Sequence, residues 1–186
     1  MLRINLDKYK PVDAPAPVRG IGCNDDSIVA TSLAGVINGL ADCPLVHWYS
    51  YGDWSMHQLL KGLLQKTGPG DVLISSYAFS ETPTRVIASL KNDGLIKRLD
   101  CVIDSRVETR TAGSLQLLRG ICDGLALVAT HAKVTLIKSS NMVLTVVGSA
   151  NYTENKRYEA GIVTTNEAVF NFHLSWIQSE LQHGAK

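Results

Sequence analysis

The sequence predicts an α/β fold in which a mixed β-sheet is flanked by helices on both faces. Over the first two thirds of the chain, segments with apolar residues at helical spacing alternate with short strand-like runs. Several strand-like runs then follow one another, and a single helical segment comes last. Strands joined by helices followed by a cluster of strands indicate a mixed sheet with helices on either side.

The size of the chain fits one domain. With 186 residues and 45% hydrophobic content, it is long enough to bury a sizeable core. We therefore expect a single domain over residues 1–186. Residues 1–20 contain three prolines and no clear periodicity, so they are predicted to form an extended arm that lies on this domain.

Capping residues and apolar spacing predict the individual elements. The first helix is predicted to begin at Ser27, a favourable N-cap residue. A later helix is marked by Thr82 as its cap, Pro83 in its first turn and Gly94 at its end. The predicted helices cover residues 27–40, 55–65, 82–94, 114–123 and a final segment from residue 166. The predicted strands cover residues 45–51, 71–79, 99–104, 125–130, 134–138, 142–147 and 160–165.

Composition argues against several classes of protein. Eighteen Lys and Arg residues balance 17 Asp and Glu residues, so any phosphate binding must be local rather than the result of bulk positive charge. The four cysteines are far apart and form no CxxC pair, which favours reduced thiols in a cytoplasmic protein. The N-terminal segment lacks the apolar core of a signal peptide, and no apolar run is long enough to span a membrane. We expect neither secretion nor membrane insertion.

Polar groups suited to phosphate chemistry flank two predicted strands near the C-terminus. His131 and Lys133 are two residues apart, so in an extended chain they project to the same side. The runs 134–138 and 142–147 are separated by the short polar segment 139–141, which favours a hairpin. That hairpin would bring His131 and Lys133 to the same edge of the sheet as the residues that follow residue 147.

Those following residues are Gly148, Ser149 and Asn151, with Glu159 further on. Ser149 and Asn151 are again two apart and are expected to point the same way. Gly148 is expected to let the backbone approach a ligand closely. The sequence therefore predicts an imidazole, an ammonium, a hydroxyl, an amide and a carboxylate at one edge.

These residue types suit phosphoryl transfer. A neutral imidazole such as that of His131 is nucleophilic near pH 7, since its ordinary pKa is about 6.5, and it can form a covalent phosphoenzyme. Lys133 would neutralise the nonbridging oxygens, and Ser149 and Asn151 would donate hydrogen bonds worth about 2.7 to 4 kcal/mol each in the transition state. Glu159 would accept a hydrogen bond from the second imidazole nitrogen. This chemistry needs no metal, and the sequence shows no convincing metal-binding cluster or other cofactor site.

His131-x-Lys133, Gly148-Ser149-x-Asn151 and Glu159 together resemble the catalytic motif of the phospholipase D superfamily, which includes phospholipases, nucleases and other phosphodiesterases. The similarity is sharpest over residues 130–163, and the strand 72–79 also fits the first half of that fold. The resemblance implies a phospholipase D-like fold with His131 as nucleophile. It also implies phosphate binding by Lys133, Ser149 and Asn151, and an orienting role for Glu159.

One residue departs from the family pattern. An aspartate usually stands five residues after the motif lysine, and this chain has Lys138 there. Strand alternation places Lys138 on the face opposite to residues 131, 133, 135 and 137, so the missing carboxylate is not expected beside the phosphate. The substitution leaves open a degenerate protein that binds phosphate or nucleic acid without cleaving it.

The motif occurs once, because no other histidine is followed by a lysine two residues later. In this superfamily a histidine from a second motif copy protonates the leaving group. Single-motif members pair two subunits, and small nucleases are prominent among them. The resemblance therefore implies a homodimer with a shared site and a nucleic-acid substrate. A phospholipid phosphodiesterase is disfavoured, since the chain has little room for an acyl-chain pocket and no membrane-binding segment.

Other basic residues are candidates for substrate contacts. Arg106 and Arg110 follow a predicted strand in a polar segment and would line a substrate groove. The segment 155–157, Asn-Lys-Arg, would contact a phosphate backbone or form a solvated basic turn.

Overall fold

Residues 27–154 and 156–184, which the computed structural model describes, contain eight strands and six helices. The predicted arm, residues 1–20, lies outside them. The strands are β1 (Ser27–Ala30), β2 (Leu45–Tyr51), β3 (Gly70–Ser76), β4 (Ile96–Asp104), β5 (Gly124–Val128), β6 (Val134–Ser139), β7 (Val143–Gly148) and β8 (Tyr158–Thr164). The helices are α1 (Leu33–Gly39), α2 (Met56–Thr67), α3 (Glu81–Asn92), α4 (Val107–Arg110), α5 (Ala112–Ile121) and α6 (Glu167–His183).

All eight strands form one sheet in the order β1-β2-β8-β7-β6-β3-β4-β5. β3, β4 and β5 are parallel, whereas β6, β7 and β8 pair antiparallel with their neighbours. Residues from α1, α2, α3 and α5 pack in the larger core on one face, and Phe170 and Ile177 of α6 belong to a smaller core on the other. The predicted fold class, a mixed sheet flanked by helices on both faces, is confirmed.

The strand directions place one end of each of the eight strands at a common edge of the sheet. The C-terminal ends of β1, β2, β3, β4, β5 and β7 meet the N-terminal ends of β6 and β8 there. We call this the His131 edge, because His131 lies in the segment between β5 and β6. Ligands of open α/β sheets commonly bind outside the carboxyl ends of the parallel strands, and this edge contains those ends.

Two elements differ from the sequence prediction. Ser27 begins a strand, not a helix, because residues 27–30 pair in parallel with β2. The first helix begins at Leu33, where the Ser32 hydroxyl accepts a hydrogen bond from the Gly35 N–H (3.0 Å). Arg110 is predicted in a polar segment without helix, yet residues 107–110 form the short helix α4, whereas Arg106 lies in the turn before it.

The boundary signals nearer the middle of the chain were only partly accurate, because α3 begins at Glu81 with Ser80 as its N-cap residue, where Thr82 was the predicted cap. The Ser55 and Gln58 side chains form a capping box at the start of α2. Gly94 ends the α3 segment with a φ of 75°, a conformation that glycine adopts without strain. None of the helices in the described part of the chain is long and apolar enough to cross a membrane.

Candidate active site

The β6–β7 hairpin joins the two halves of the motif. Val134 pairs with Val147, and the Gly148 N–H donates to the Lys133 carbonyl oxygen (3.2 Å). At the far end, the Ser139 N–H donates to the Met142 carbonyl oxygen (3.0 Å) and closes the turn. The predicted hairpin is thus confirmed, and it carries the residues before β6 and those after β7 to the His131 edge.

His131 is exposed, and Lys133 is partly buried beside it. The Lys133 ammonium donates to the His131 carbonyl oxygen (2.8 Å), and its Nζ lies 3.2 Å from His131 Nδ1. Because lysine can only donate, this second contact places a lone pair of the imidazole on Nδ1. The two motif side chains are therefore in direct contact, as their spacing predicted.

Tyr77, which the sequence analysis did not single out, packs against both side chains. Its ring centroid lies 4.8 Å from that of His131 and 5.6 Å from Lys133 Nζ. Tyr77 directly follows β3, the neighbour of β6 in the sheet, so the order of the strands accounts for this contact. The predicted strand 71–79 includes Tyr77, and a place near the carboxyl end of a strand is the signal that could have found it.

Ser149 and Glu159 meet across β7 and β8. The Ser149 hydroxyl donates to Glu159 Oε2, and it accepts a hydrogen bond from the Ala160 N–H (3.1 Å). We expected Glu159 to accept from an imidazole nitrogen. Within the described residues, its carboxylate instead binds the Ser149 hydroxyl and has no hydrogen bond to the His131 ring. β8 begins at Tyr158, before the predicted residue 160, so Glu159 is part of the sheet.

The charge on Lys133 is influenced by the same carboxylate. Partial burial lowers the pKa of Lys133, because the ammonium loses solvation, and the nearby negative charge of Glu159 partly opposes this effect. An ammonium that has lost water and has only one nearby carboxylate is well suited to bind an anion. The electrostatics therefore fit a phosphate ligand at Lys133.

Asn151 is held in place from β3. The Ser76 hydroxyl shares its one proton between the Ala78 carbonyl oxygen (3.1 Å) and Asn151 Oδ1 (3.3 Å), and the second contact leaves the Nδ2 group of Asn151 as the donor for a ligand. The next residue, Tyr152, is buried, stacks on Phe79 with ring centroids 5.1 Å apart, and bonds through its hydroxyl to Thr135 Oγ1 (2.8 Å). These contacts anchor the segment after β7.

Asp104, at the end of β4, supports the segment that leads to His131. Its buried carboxylate accepts hydrogen bonds from Arg106 Nε (2.6 Å), from Arg106 Nη2 (2.9 Å) and from the Thr130 N–H (3.2 Å). The hydrogen bonds from Arg106 are the main cause that lowers the pKa of Asp104 to about 2. Because Thr130 precedes His131, this carboxylate connects β4 to the motif.

The small size of Gly148 makes room for a neighbouring aromatic ring. Gly148 pairs with Gly161 of β8, and the indole ring of Trp48 lies over both. A Cβ atom on Gly161 would lie 2.6 Å from Trp48 Cζ2 and 2.4 Å from the Val147 carbonyl oxygen. The absent side chains thus make room for the buried tryptophan, and the close approach of a ligand to Gly148 stays a prediction.

Lys138 lies far from these groups. It is near the other end of β6, and a rise of about 3.4 Å per residue places it about 17 Å from Lys133 along the strand. There it pairs with Asp71 of β3, which on its other side pairs with Arg98 of β4. The departure from the family pattern therefore falls in a row of alternating charges at the opposite edge of the sheet.

Two further observations complete the site. A cleft beside it is lined by Ser50, Asn151, Arg157 and Glu159. One residue of the basic segment 155–157 therefore borders the site, whereas Asn155 lies outside the described residues.

Within residues 27–154 and 156–184, no group of three or more His, Cys, Asp and Glu side chains is placed to hold a metal ion.

No family model matches the sequence, and no curated protein is similar to it at a significant level. Solved structures are similar in fold. NucT from Helicobacter pylori has 18% sequence identity and a TM-score of 0.57, over 74% of this chain and 96% of that one. Phosphatidylserine synthase from Haemophilus influenzae has 13% identity and a TM-score of 0.53, over 76% of this chain and 39% of that one. Polyphosphate kinase from Porphyromonas gingivalis has 11% identity and a TM-score of 0.50, over 75% of this chain and 22% of that one.

Proposed function

We propose, from the phospholipase D-like fold that this chain shares with those three proteins, that it is a phosphodiesterase that cleaves nucleic acid without a metal ion. One observation carries the proposal. The sheet brings an imidazole, an ammonium, a hydroxyl, an amide and a carboxylate to a single edge, in the residue types that phosphoryl transfer requires. NucT has a similar fold, and the similarity covers 96% of the NucT chain, which favours a nuclease.

In the proposed reaction, His131 attacks phosphorus, and a nitrogen–phosphorus bond forms as the bond to the leaving oxygen breaks. Lys133 now contacts the imidazole lone pair, so a bound phosphate would have to draw the ammonium away before attack. Lys133, Ser149 and Asn151 would then hold the nonbridging oxygens. Water would hydrolyse the phosphohistidine and release the second product, which restores the free imidazole.

The leaving oxygen needs a proton, and we propose that a second copy of the chain supplies the donor. The single motif offers one histidine per chain for a reaction that uses two in the superfamily that the sequence resembles. His131 is exposed at the edge of the sheet, which leaves it accessible to a partner subunit. A twofold axis near this edge would place two His131 side chains around one phosphate.

Hydrolysis in excess EDTA tests the proposal directly. Wild type and His131→Ala are incubated with single-stranded DNA, duplex DNA, RNA and the chromogenic diester bis(p-nitrophenyl) phosphate. We expect wild type to cleave at least one nucleic acid, and the variant to lose at least about a thousandfold in rate, since it lacks the nucleophile. Equal rates for the two proteins on every substrate, or cleavage that depends on added magnesium, would reject the mechanism.

A noncatalytic protein that binds nucleic acid or phosphate is the main alternative. Lys138 is the feature that favours it, and the position of Lys138 at the opposite edge of the sheet argues against a direct effect on the phosphate. Unchanged nucleic-acid binding by His131→Ala, together with a wild type that cleaves nothing, would establish this alternative. The single-domain organisation and the cytoplasmic location remain predictions.

A further inference from the structure

Three cationic side chains surround the ring of Tyr77 beside His131. The Cζ atoms of Arg106 and Arg110 lie 4.6 Å and 5.9 Å from its centroid, and Lys133 Nζ lies 5.6 Å away. Arg110 Nη1 also donates a hydrogen bond to the Tyr77 hydroxyl (2.6 Å). Tyr77 therefore couples Arg110 to the nucleophile through direct contacts on both sides.

The three cations differ in how their charge is balanced. Arg106 forms a two-pronged ion pair with buried Asp104, and Lys133 has Glu159 nearby. Arg110 is exposed and has no ion pair with any carboxylate of the described residues. Only one of its five N–H donors is committed to the Tyr77 hydroxyl, so the others are available to an anion.

The sheet order sets the position of Arg110 relative to the proposed site. Arg110 ends α4, just after β4, and β4 is the second neighbour of β6 in the sheet. With strands about 4.8 Å apart, its segment leaves the sheet about 10 Å along the edge from that of Lys133. Arg110 contacts Tyr77, whose ring packs against His131, so it stands to one side of the phosphate that His131 would attack.

We propose that Arg110, positioned by Tyr77, binds the phosphate next to the one that is cleaved, so that the substrate is a nucleic-acid strand with at least two consecutive phosphates. The inference rests on the proposed function and adds the substrate class. A guanidinium suits this task, because its fixed fork of donors matches two phosphate oxygens at once. The contact carries no base information, so it would position the strand without selecting a sequence.

The test compares a substrate with one phosphate and a substrate with many. Arg110→Ala is assayed on an oligonucleotide that wild type cleaves and on bis(p-nitrophenyl) phosphate. For the oligonucleotide we expect KM to rise about tenfold or more with kcat nearly unchanged, as for the loss of a hydrogen-bonded charge. The kinetics on the small diester should not change, because it has no second phosphate.

Three other variants make the result specific. Arg110→Lys keeps the charge and should recover part of the loss, whereas Tyr77→Phe keeps the ring and should give an intermediate rise in KM for the oligonucleotide. Lys66→Ala removes a positive charge from the last turn of α2, next to the opposite edge of the sheet, and should behave as wild type. Thermal unfolding of each variant shows whether it is folded.

Binding measured in a His131→Ala background separates this inference from the proposed function. Affinity decreases with salt, and the slope of log affinity against log salt should become less steep when Arg110 is also replaced by alanine. The change should be about 0.7 for a single strand or about 0.9 for a duplex. Such a change, together with a wild-type protein that cleaves nothing, would support the phosphate contact while rejecting hydrolysis. An unchanged slope and KM, or an equal loss on the small diester, would overturn the inference.

Discussion

Asp104 illustrates how single residues support the site without touching a substrate. Its side chain is 1% exposed, and it binds both the Arg106 guanidinium and the Thr130 N–H. Arg106 in turn lies over the ring of Tyr77, which contacts His131. One buried carboxylate therefore stabilises two segments of the His131 edge, and its loss would leave the Thr130 N–H without this partner.

We predict that Asp104 makes the free energy of unfolding depend on pH in the acid range. Its pKa of about 2 in the folded protein is below the ordinary value of 3.8, so its contribution is complete above about pH 4 and is lost as pH falls towards 2. Urea unfolding at pH 6, 4 and 3 should show that Asp104→Asn is less stable than wild type at pH 6, with a gap that narrows in acid. A gap that is constant over this range would contradict the prediction.

At the scale of elements, the two ends of β6 lie in different charged environments. Its N-terminal end enters the candidate site, and its C-terminal end places Lys138 opposite Asp71, with Arg98 on the next strand. Opposite charges on neighbouring strands stabilise a sheet, and like charges destabilise it. This environment suits a lysine at position 138, where the family pattern has an aspartate.

Lys138→Asp, which restores the family residue, is therefore expected to reduce the free energy of unfolding by about 0.2 to 1 kcal/mol, because it places two carboxylates opposite each other. The kcat of the folded variant should equal that of wild type, since the change is about 17 Å from Lys133 along the strand. Urea unfolding and steady-state kinetics measure the two effects, with Lys138→Ala as the neutral control. A large gain or loss of kcat would show that position 138 acts on the site.

At the scale of the whole molecule, the described chain presents one histidine and one lysine of the motif at an exposed sheet edge. A reaction with a separate nucleophile and proton donor would be complete only when two such edges meet. The proposed homodimer would thus be required for the reaction as well as for assembly.

We predict that His131→Ala chains inhibit wild-type chains when subunits exchange. A ninefold excess of the variant should lower the activity of the wild-type chains to about a tenth, because most wild-type chains would then lie in mixed dimers. The same excess of Lys66→Ala, which retains the motif, should cause no loss. Full activity in a species that sediments as a monomer would contradict the shared site.

The sequence by itself determined the features that depend on local spacing. Apolar periodicity predicted the α/β class, the polar segment 139–141 predicted the hairpin, and the motif placed His131 beside Lys133, which the structure confirms. The prediction of a helix from Ser27 was wrong. This favourable N-cap residue lies in a strand, because pairing with β2 outweighs local preference.

Only the tertiary structure decided which distant residues join these groups. Tyr77 contacts His131, and Arg106 and Arg110 contact Tyr77, because β3 and β4 follow β6 in the sheet order. Asp104 binds the N–H of Thr130, the residue before His131, for the same reason. No local pattern encodes this pairing between strands far apart in sequence. The pairing of β7 with β8 gave Glu159 the Ser149 hydroxyl as its partner, and the pairing of β6 with β3 placed Asp71 opposite Lys138. Spacing along a strand can predict which residues share a face, but the pairing of strands determines what lies beside them.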